Sequence, residues 1–177
     1  MTPPNGFVSN RVLKLNAGFL LSQSLGTSRN VDFDVPELIV TSDLTLAFLR
    51  GVLRLSRTTE GVLVQGELNT ALDGECRRCL TPVTQHITLD LEELFIHNPD
   101  EAQADTTFVI ADDAVLDLTP LLREEIIVNT PLALLCKTDC AGLCLHCGQN
   151  LNNSLCECET DDIDPRFAVL LQLKNQE

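Results

Sequence analysis

Cysteine is the residue type that most constrains how this chain can fold. Of eight cysteines, two form the run Cys76-Arg77-Arg78-Cys79, and six crowd the C-terminal part of the chain, at Cys136, Cys140, Cys144, Cys147, Cys156 and Cys158. Two thiolates separated by two residues can hold one metal ion between them, and a glycine directly after them lets the chain turn tightly. Cys144 and Cys147, followed by Gly148, therefore predict a zinc knuckle, and Cys156 and Cys158 complete the predicted metal site.

The spacing of the cysteines also predicts which of them bind the metal. A short, Asn-rich segment returns the chain toward the knuckle, so the predicted ligands of a structural zinc ion are Cys144, Cys147, Cys156 and Cys158. The alternative ligands from the same region are Cys136 and Cys140. Because eight thiols divide into two sets of four, a second site is arithmetically possible, although the spacing does not require it, at Cys76, Cys79, Cys136 and Cys140. His146 lies inside the knuckle and is interpreted as a solvated loop residue.

Other uses of cysteine predict different proteins. A disulfide framework needs an oxidising compartment, but Met1 is followed by neither a basic nor an apolar leader segment, so we expect a reduced, cytoplasmic protein. Arg77 and Arg78 would favour thiolates at their neighbouring cysteines, which leaves a zinc- or redox-responsive thiol protein, an oxidoreductase or a metal sensor, as an alternative. A set of four thiolates leaves a metal no open position, and no phosphate-binding glycine loop or nucleophile elbow is present. The expectation is therefore a protein that is not an enzyme and has no small-molecule substrate.

The net negative charge of the chain lies entirely in its second half. Residues 1–89 carry eight basic and eight acidic side chains, whereas residues 90–177 carry four basic and eighteen acidic ones, for a net charge of −14. Nine carboxylates and no lysine or arginine lie between Asp90 and Asp117. Such a field attracts basic proteins and repels phosphate. No apolar run is long enough to cross a membrane.

The apolar pattern predicts an α+β fold, mainly an antiparallel sheet with one or two packed helices and a small C-terminal zinc-ribbon-like module. Residues 12–21 suggest a first strand, followed by a polar loop and a break at Pro36. Alternation over residues 44–57 changes parity across Gly51, which suggests a bulge. Hairpins follow at residues 58–61 and at the Cys76 loop, and the strand after Pro82 alternates through Leu91.

Helical spacing and proline positions complete the predicted architecture. A helix is expected near 118–129, with Asp117 or Thr119 as its cap and Pro120 in its first turn. The predicted divisions are a sheet domain over 1–131, a cysteine-rich module over 132–160 and a C-terminal helix over 161–177 that docks back on the sheet. Residues 97–106 are predicted to form a polar loop.

Four segments of the chain resemble one protein family in the family's own order. They are Glu75 to Pro82 (ECRRCLTP), Leu118 to Pro131 (LTPLLREEIIVNTP), Cys140 to Asn152 (CAGLCLHCGQNLN) and Asp164 to Ala168 (DPRFA). This set is similar to the YceD family, the large ribosomal RNA subunit accumulation proteins, in its cysteine-rich form. The resemblance implies an accessory factor that supports the synthesis, processing or stability of large-subunit ribosomal RNA.

A partner for such a factor can be predicted from charge. The acidic half would meet a ribosomal protein or assembly factor, while the large-subunit ribosomal RNA precursor would be contacted by Arg77 and Arg78, which a hairpin tip would present to phosphate.

Overall fold

Four long antiparallel strands form most of the fold. The computed structural model describes residues 8–97, 108–110 and 112–158. Its strands are β1 (Val8–Ser9), β2 (Lys14–Asn16), β3 (Ser28–Thr41), β4 (Leu44–Arg57), β5 (Gly61–Glu75), β6 (Pro82–His97), β7 (Val109–Ile110) and β8 (Val115–Asp117), and its helices are a 3₁₀ turn (Asn10–Leu13), α1 (Gly18–Leu21) and α2 (Thr119–Asn129).

The strands form one large sheet and one small one. The large sheet has the order β1-β3-β4-β5-β6-β7, with antiparallel pairing from β3 to β6 and parallel pairing only at its short outer strands β1 and β7. Strands β2 and β8 pair antiparallel in the small sheet. Together with the cysteine-rich segment after α2, this arrangement confirms the predicted α+β class.

Alternation along the long strands places apolar side chains on one face of the sheet. On β6, Ile87, Leu89 and Leu91 are buried while the residues between them are exposed, as the sequence predicts. Helix α2 begins at the predicted position with Pro120 in its first turn; its N-cap residue is Leu118, and Asp117 Oδ1 accepts a hydrogen bond from Thr119 N at 2.9 Å. The helix buries Leu121, Leu122 and Ile126 in the same core. The burial of apolar surface, which contributes on the order of 25 cal/mol of free energy per Å², is the main stabilising term here.

Pairing is continuous through Gly51, so the predicted bulge there is wrong. The register of β4 with both of its neighbours is unbroken at Gly51, and the only irregularity between β3 and β4 lies between Ile39 and Thr41. Gly51 and Gly66 both have φ of 147°, and an added Cβ would lie 2.2 Å from the carbonyl oxygen of Glu67 or 2.3 Å from that of Val52. The two glycines therefore allow β4 and β5 to approach closely in a conformation that other residues rarely adopt.

Two predictions near the N-terminus are also wrong. Residues 12–21 form parts of a 3₁₀ turn, a three-residue strand and α1 rather than one strand, and Asn16 Oδ1 accepts a hydrogen bond from Gly18 N at 2.9 Å where α1 begins. Pro36 does not break the chain but lies within β3. Since β1 pairs with β3 only at Leu38 and Ile39, the missing N–H of Pro36 leaves no unpaired position in the sheet.

Several predictions fall on residues outside the described ranges. The C-terminal helix over 161–177 and almost all of the predicted loop over 97–106 lie there, and the domain boundaries at 131 and 160 stay predictions. No helix within the described residues is long and apolar enough to cross a membrane.

Candidate metal centre

The first pair of cysteines lies at the tip of the β5–β6 hairpin, as predicted. Cys76 N donates to the carbonyl oxygen of Thr81 at 2.8 Å, and Leu80 N donates to that of Cys76 at 2.9 Å. Leu80 has a φ of 59°, a conformation uncommon for a residue with a branched side chain. These two hydrogen bonds fold the loop around Cys76 and Cys79 so that both thiols point to the same side.

The knuckle at Cys144 and Cys147 repeats this arrangement. Cys144 N donates to the carbonyl oxygen of Gln149 at 2.8 Å, and Gly148 N donates to that of Cys144 at 2.9 Å. Gly148 has a φ of 73°, which confirms the tight turn expected behind the knuckle. Both Cys-x2-Cys segments are therefore knuckles with the same hydrogen bonds, and Leu80 occupies in the first the position that Gly148 occupies in the second.

Two further cysteines meet the hairpin tip and complete a set of four thiols, of which all but Cys136 are buried. The set consists of Cys76, Cys79, Cys136 and Cys140, whose Sγ atoms all lie within 4.8 Å of one another. Cys76 and Cys140 Sγ are 3.7 Å apart, and Cys79 and Cys136 Sγ are 3.5 Å apart. Tetrahedral zinc with Zn–S bonds of about 2.3 Å places its sulfurs about 3.8 Å apart, whereas a disulfide needs about 2.05 Å. We call this set the hairpin cluster.

The other four cysteines form a more exposed set. The structure groups Cys144, Cys147, Cys156 and Cys158 with their Sγ atoms also within 4.8 Å of one another. Cys147 is exposed and Cys156 and Cys158 are half-buried, whereas Cys76 and Cys140 of the hairpin cluster are 0% and 2% exposed. We call this second set the ribbon cluster. All eight cysteines of the chain thus lie in two sets of four, each of which could hold one metal ion.

Hydrogen-bond donors around the thiols favour their ionised form. Burial opposes ionisation of Cys76, but backbone donors at Cys136, Cys79 and Arg78 outweigh it and lower the pKa of this thiol to about 6. Backbone N–H groups of Cys147 and His146 lower the pKa of Cys144 to about 6 as well. Each cluster therefore has at least one thiol whose ionised form is favoured and which can act as a first metal ligand.

One thiol of each cluster, Cys136 in the first and Cys158 in the second, ionises with difficulty. Contact with Cys79 raises the pKa of Cys136 to about 12, and contact with Cys147 raises that of Cys158 to about 12. Neighbouring thiolates repel a further negative charge, and a cation at the centre of the cluster removes this repulsion. Metal binding must then release these protons, so that affinity falls as pH falls.

The structure places both arginines of the hairpin tip against the cysteine-rich segment. Arg77 Nη1 donates to the carbonyl oxygen of Leu132 at 3.2 Å, and Arg78 Nη1 donates to that of Cys140 at 2.8 Å. The backbone adds Arg77 N to Leu134 O at 2.9 Å and Leu143 N to Arg78 O at 3.1 Å. Both arginines remain exposed, and their side chains attach the segment to the tip.

Asn152 connects the two clusters, a role that the sequence analysis missed. Its Nδ2 donates to Cys140 Sγ at 3.3 Å, while its Oδ1 accepts from Ala141 N at 2.9 Å. Asn152 belongs to the loop between the two halves of the ribbon cluster, yet it contacts a thiol of the hairpin cluster. His146 belongs to neither set of four thiols.

The donor set fits zinc and leaves no position for a substrate. Four thiolates at tetrahedral spacing are the chemistry of structural zinc sites, whereas catalytic zinc keeps one position open. A metal in the hairpin cluster would join residues 57 and 64 positions apart in the chain. Such an ion would supply a cross-link between the sheet and the C-terminal segment.

Comparison with known proteins identifies the class defined by this sheet and its cysteine-rich module. The family model described as large ribosomal RNA subunit accumulation protein YceD matches residues 64–174, more than half of the chain. The chain belongs to the YceD family. This confirms the resemblance seen in the sequence.

Individual relatives agree with this family. An uncharacterized protein of Mycobacterium tuberculosis is 37% identical over 129 residues, which are 71% of this chain and 61% of that protein. The protein YlbN of Bacillus subtilis is 30% identical over 104 residues, 58% of this chain and 60% of YlbN. A protein of Zea mays named large ribosomal RNA subunit accumulation protein YCED homolog 1, chloroplastic, is 26% identical over 157 residues, 71% of this chain and 50% of that protein. The chain thus spans less than two thirds of the length of these relatives. No solved structure matches it.

Proposed function

We propose that this protein is a non-catalytic accessory factor that supports accumulation of large-subunit ribosomal RNA and holds two structural zinc ions. The match to the family model over residues 64–174 is the observation that carries this proposal. Its description, and the name of the maize relative, give the function in terms of the large ribosomal RNA. A factor that changes how much of an RNA accumulates can act by binding alone.

The geometry of the two clusters supports binding over catalysis. Each cluster supplies four sulfur ligands at mutually close positions, so a bound zinc ion has no site for water or substrate. The zinc ions would act as cross-links that hold the cysteine-rich segment in place. The cysteine-rich segment would then serve as a surface for a partner.

The charge of the sheet supports a basic partner such as a ribosomal protein. Asp32, Glu67 and Asp90 lie in one row of the large sheet, with Val52 of β4 between Asp32 and Glu67, and all three carboxylates are exposed. Glu67 and Asp90 are directly opposite each other, and like charges at such positions destabilise a sheet. A partner that brings lysine or arginine to this row would relieve the repulsion.

Deletion of the gene in its own host tests the proposed function. We expect the amount of mature large-subunit ribosomal RNA to fall relative to the small-subunit RNA, with restoration by the wild-type chain. The measurement is quantitative separation of total RNA. An unchanged ratio in the deletion strain, under growth that demands rapid ribosome synthesis, would remove the proposal.

Direct contact of Arg77 and Arg78 with RNA is a separate part of the proposal. If their guanidinium groups bind phosphate, changing both to alanine should weaken association with the RNA precursor and reduce the salt slope by about one contact for each arginine. Changing both to lysine is the matched control, because lysine keeps the charge but cannot reproduce the planar guanidinium fork. Binding measured at several salt concentrations separates contact with RNA phosphate from attachment of the cysteine-rich segment. An identical slope in the alanine variant would leave both side chains as tethers of the cysteine-rich segment alone.

A further inference from the structure

An apolar groove lies on the outer side of the ribbon cluster. Its volume is about 370 Å³, and it is lined by Leu143, Cys144, Leu145, His146, Leu151, Leu155 and Cys156. Leu145 is 99% exposed and Leu155 is 89% exposed. Two leucines that line the same groove and remain almost fully in water are unusual for a free surface.

The metal site does not explain these leucines. The knuckle is formed by the hydrogen bonds of Cys144 and Gly148 and by the four thiols, none of which needs a large apolar side chain at position 145. Leu155 makes no contribution to the buried core either, since its side chain faces solvent. Burying each leucine against a partner would recover the hydrophobic free energy that the free protein lacks.

The surroundings of the groove are negative. A second groove adjoins the first at Leu155 and Cys156 and carries Glu157 on its wall. Within the described residues, no lysine or arginine lines either groove. Glu157 is the only carboxylate among the residues that line the two grooves. A phosphate backbone would be repelled here, and a cationic protein segment would be attracted.

We propose that this groove, which we call the ribbon groove, binds a basic amphipathic segment of a partner protein. Apolar side chains of that segment cover Leu145 and Leu155, and its lysines or arginines lie against Glu157. This proposal rests on the proposed function and deepens it, because it gives the protein partner a chemistry and a place to bind. Apolar contact at the centre and charge at the rim is the usual anatomy of a protein interface.

A designed peptide tests the ribbon groove without knowledge of the natural partner. The probe is an amphipathic helix of leucine and lysine with one tryptophan, titrated against the zinc-loaded full chain. The protein contains no tryptophan or tyrosine, so the indole emission reports the peptide alone. A second peptide of the same charge, with serine in place of each leucine, separates apolar contact from charge. We expect the leucine peptide to bind more tightly than the serine peptide.

Variants of the protein place the contact. Changing Leu145 and Leu155 together to serine should weaken binding by about tenfold or more for each leucine that becomes buried. Leu132→Ser is the matched control, because Leu132 is 96% exposed but does not line the groove. This variant should bind the leucine peptide as tightly as the wild type does. Glu157→Gln should reduce the dependence of binding on salt.

Three results would overturn the ribbon groove as a protein-binding site. They are equal affinity of the double leucine variant and Leu132→Ser, equal affinity for the leucine and serine peptides, and loss of binding to a labelled single-stranded RNA in the double variant, which would assign the groove to RNA. The proposed function fails separately. If the double variant loses peptide binding but the deletion strain keeps its ratio of ribosomal RNAs, the groove is supported and the proposed function is contradicted. If the double variant binds the peptide as tightly as the wild type but the deletion strain has less large-subunit RNA, the groove alone is contradicted.

Discussion

Protein purified under reducing conditions without a chelator is expected to contain two zinc ions per chain, and Cys144→Ser is expected to lower this to one. The two sets of four thiols share no residue, so loss of one ligand should empty the ribbon cluster and leave the hairpin cluster filled. Structural zinc in small modules contributes on the order of 10 to 16 kcal/mol of apparent binding free energy at neutral pH. Elemental analysis of both proteins measures the change directly.

A control and two outcomes make the zinc prediction specific. Asn153→Ser changes an exposed residue of the same loop and should retain both ions. Zinc at well below one ion per chain in the wild type would contradict both clusters. A metal content that is the same in Cys144→Ser and in the wild type would show that the ribbon cluster does not bind.

Removal of Cys76 and Cys79 together is expected to release the cysteine-rich segment from the sheet while the sheet stays folded. Three thiols of the hairpin cluster, those of Cys76, Cys79 and Cys140, form a small apolar cluster with Val83, Leu135 and Leu143, separate from the main core under β3 to β6. Without the metal, hydrogen bonds such as those of Arg77 and Arg78 and the packing of Leu135 and Leu143 would attach the segment. Each such hydrogen bond is worth about 1 kcal/mol, far less than a zinc site.

The rate at which trypsin cleaves the bond after Lys137 measures this release. Lys137 is exposed and lies between Cys136 and Cys140, so cleavage after it depends on local opening of the hairpin cluster. The change of Cys76 and Cys79 to serine should speed this cleavage by at least about 100-fold, which corresponds to a loss of a few kcal/mol in opening free energy. Changing Cys156 and Cys158 to serine is the matched control, because it removes the other ion. Circular dichroism verifies that the sheet persists, and equal cleavage rates in all three proteins would contradict the cross-link.

Local patterns in the sequence predict the centre of the fold and fail at its edge. The hairpin turns and the burial of Leu89 and Leu91 follow from alternation, because each long strand packs one face on the core. Strand β3 was missed because Pro36 usually ends a strand, and only the sheet order shows that it lies where a partner N–H is not needed. Residues 12–21 were misassigned because a run of leucines fits a strand and short helical turns equally well.

The same limit explains why the hairpin cluster could not be derived from spacing. The knuckle at Cys144 is visible in the sequence because Gly148 marks its turn. At the first knuckle Leu80 takes that position with a positive φ, so the sequence carries no glycine signal. Cys136 and Cys140 reach the hairpin tip only through the fold, by way of α2, which no local pattern encodes. The two clusters do match the division of eight thiols into two sets of four that the sequence allowed.

The span of the hairpin cluster has a consequence for how the protein assembles. The four thiols of the ribbon cluster lie within one short segment, so they can capture an ion as soon as that segment exists. The hairpin cluster joins thiols 64 positions apart, and closing a longer loop has a larger entropic cost unless the sheet and α2 have already brought its ends together. Metal loading should therefore be ordered, with the local site filled early and the cross-link made last. Refolding with limiting zinc would then accumulate a species in which the module is formed but has not yet joined the sheet.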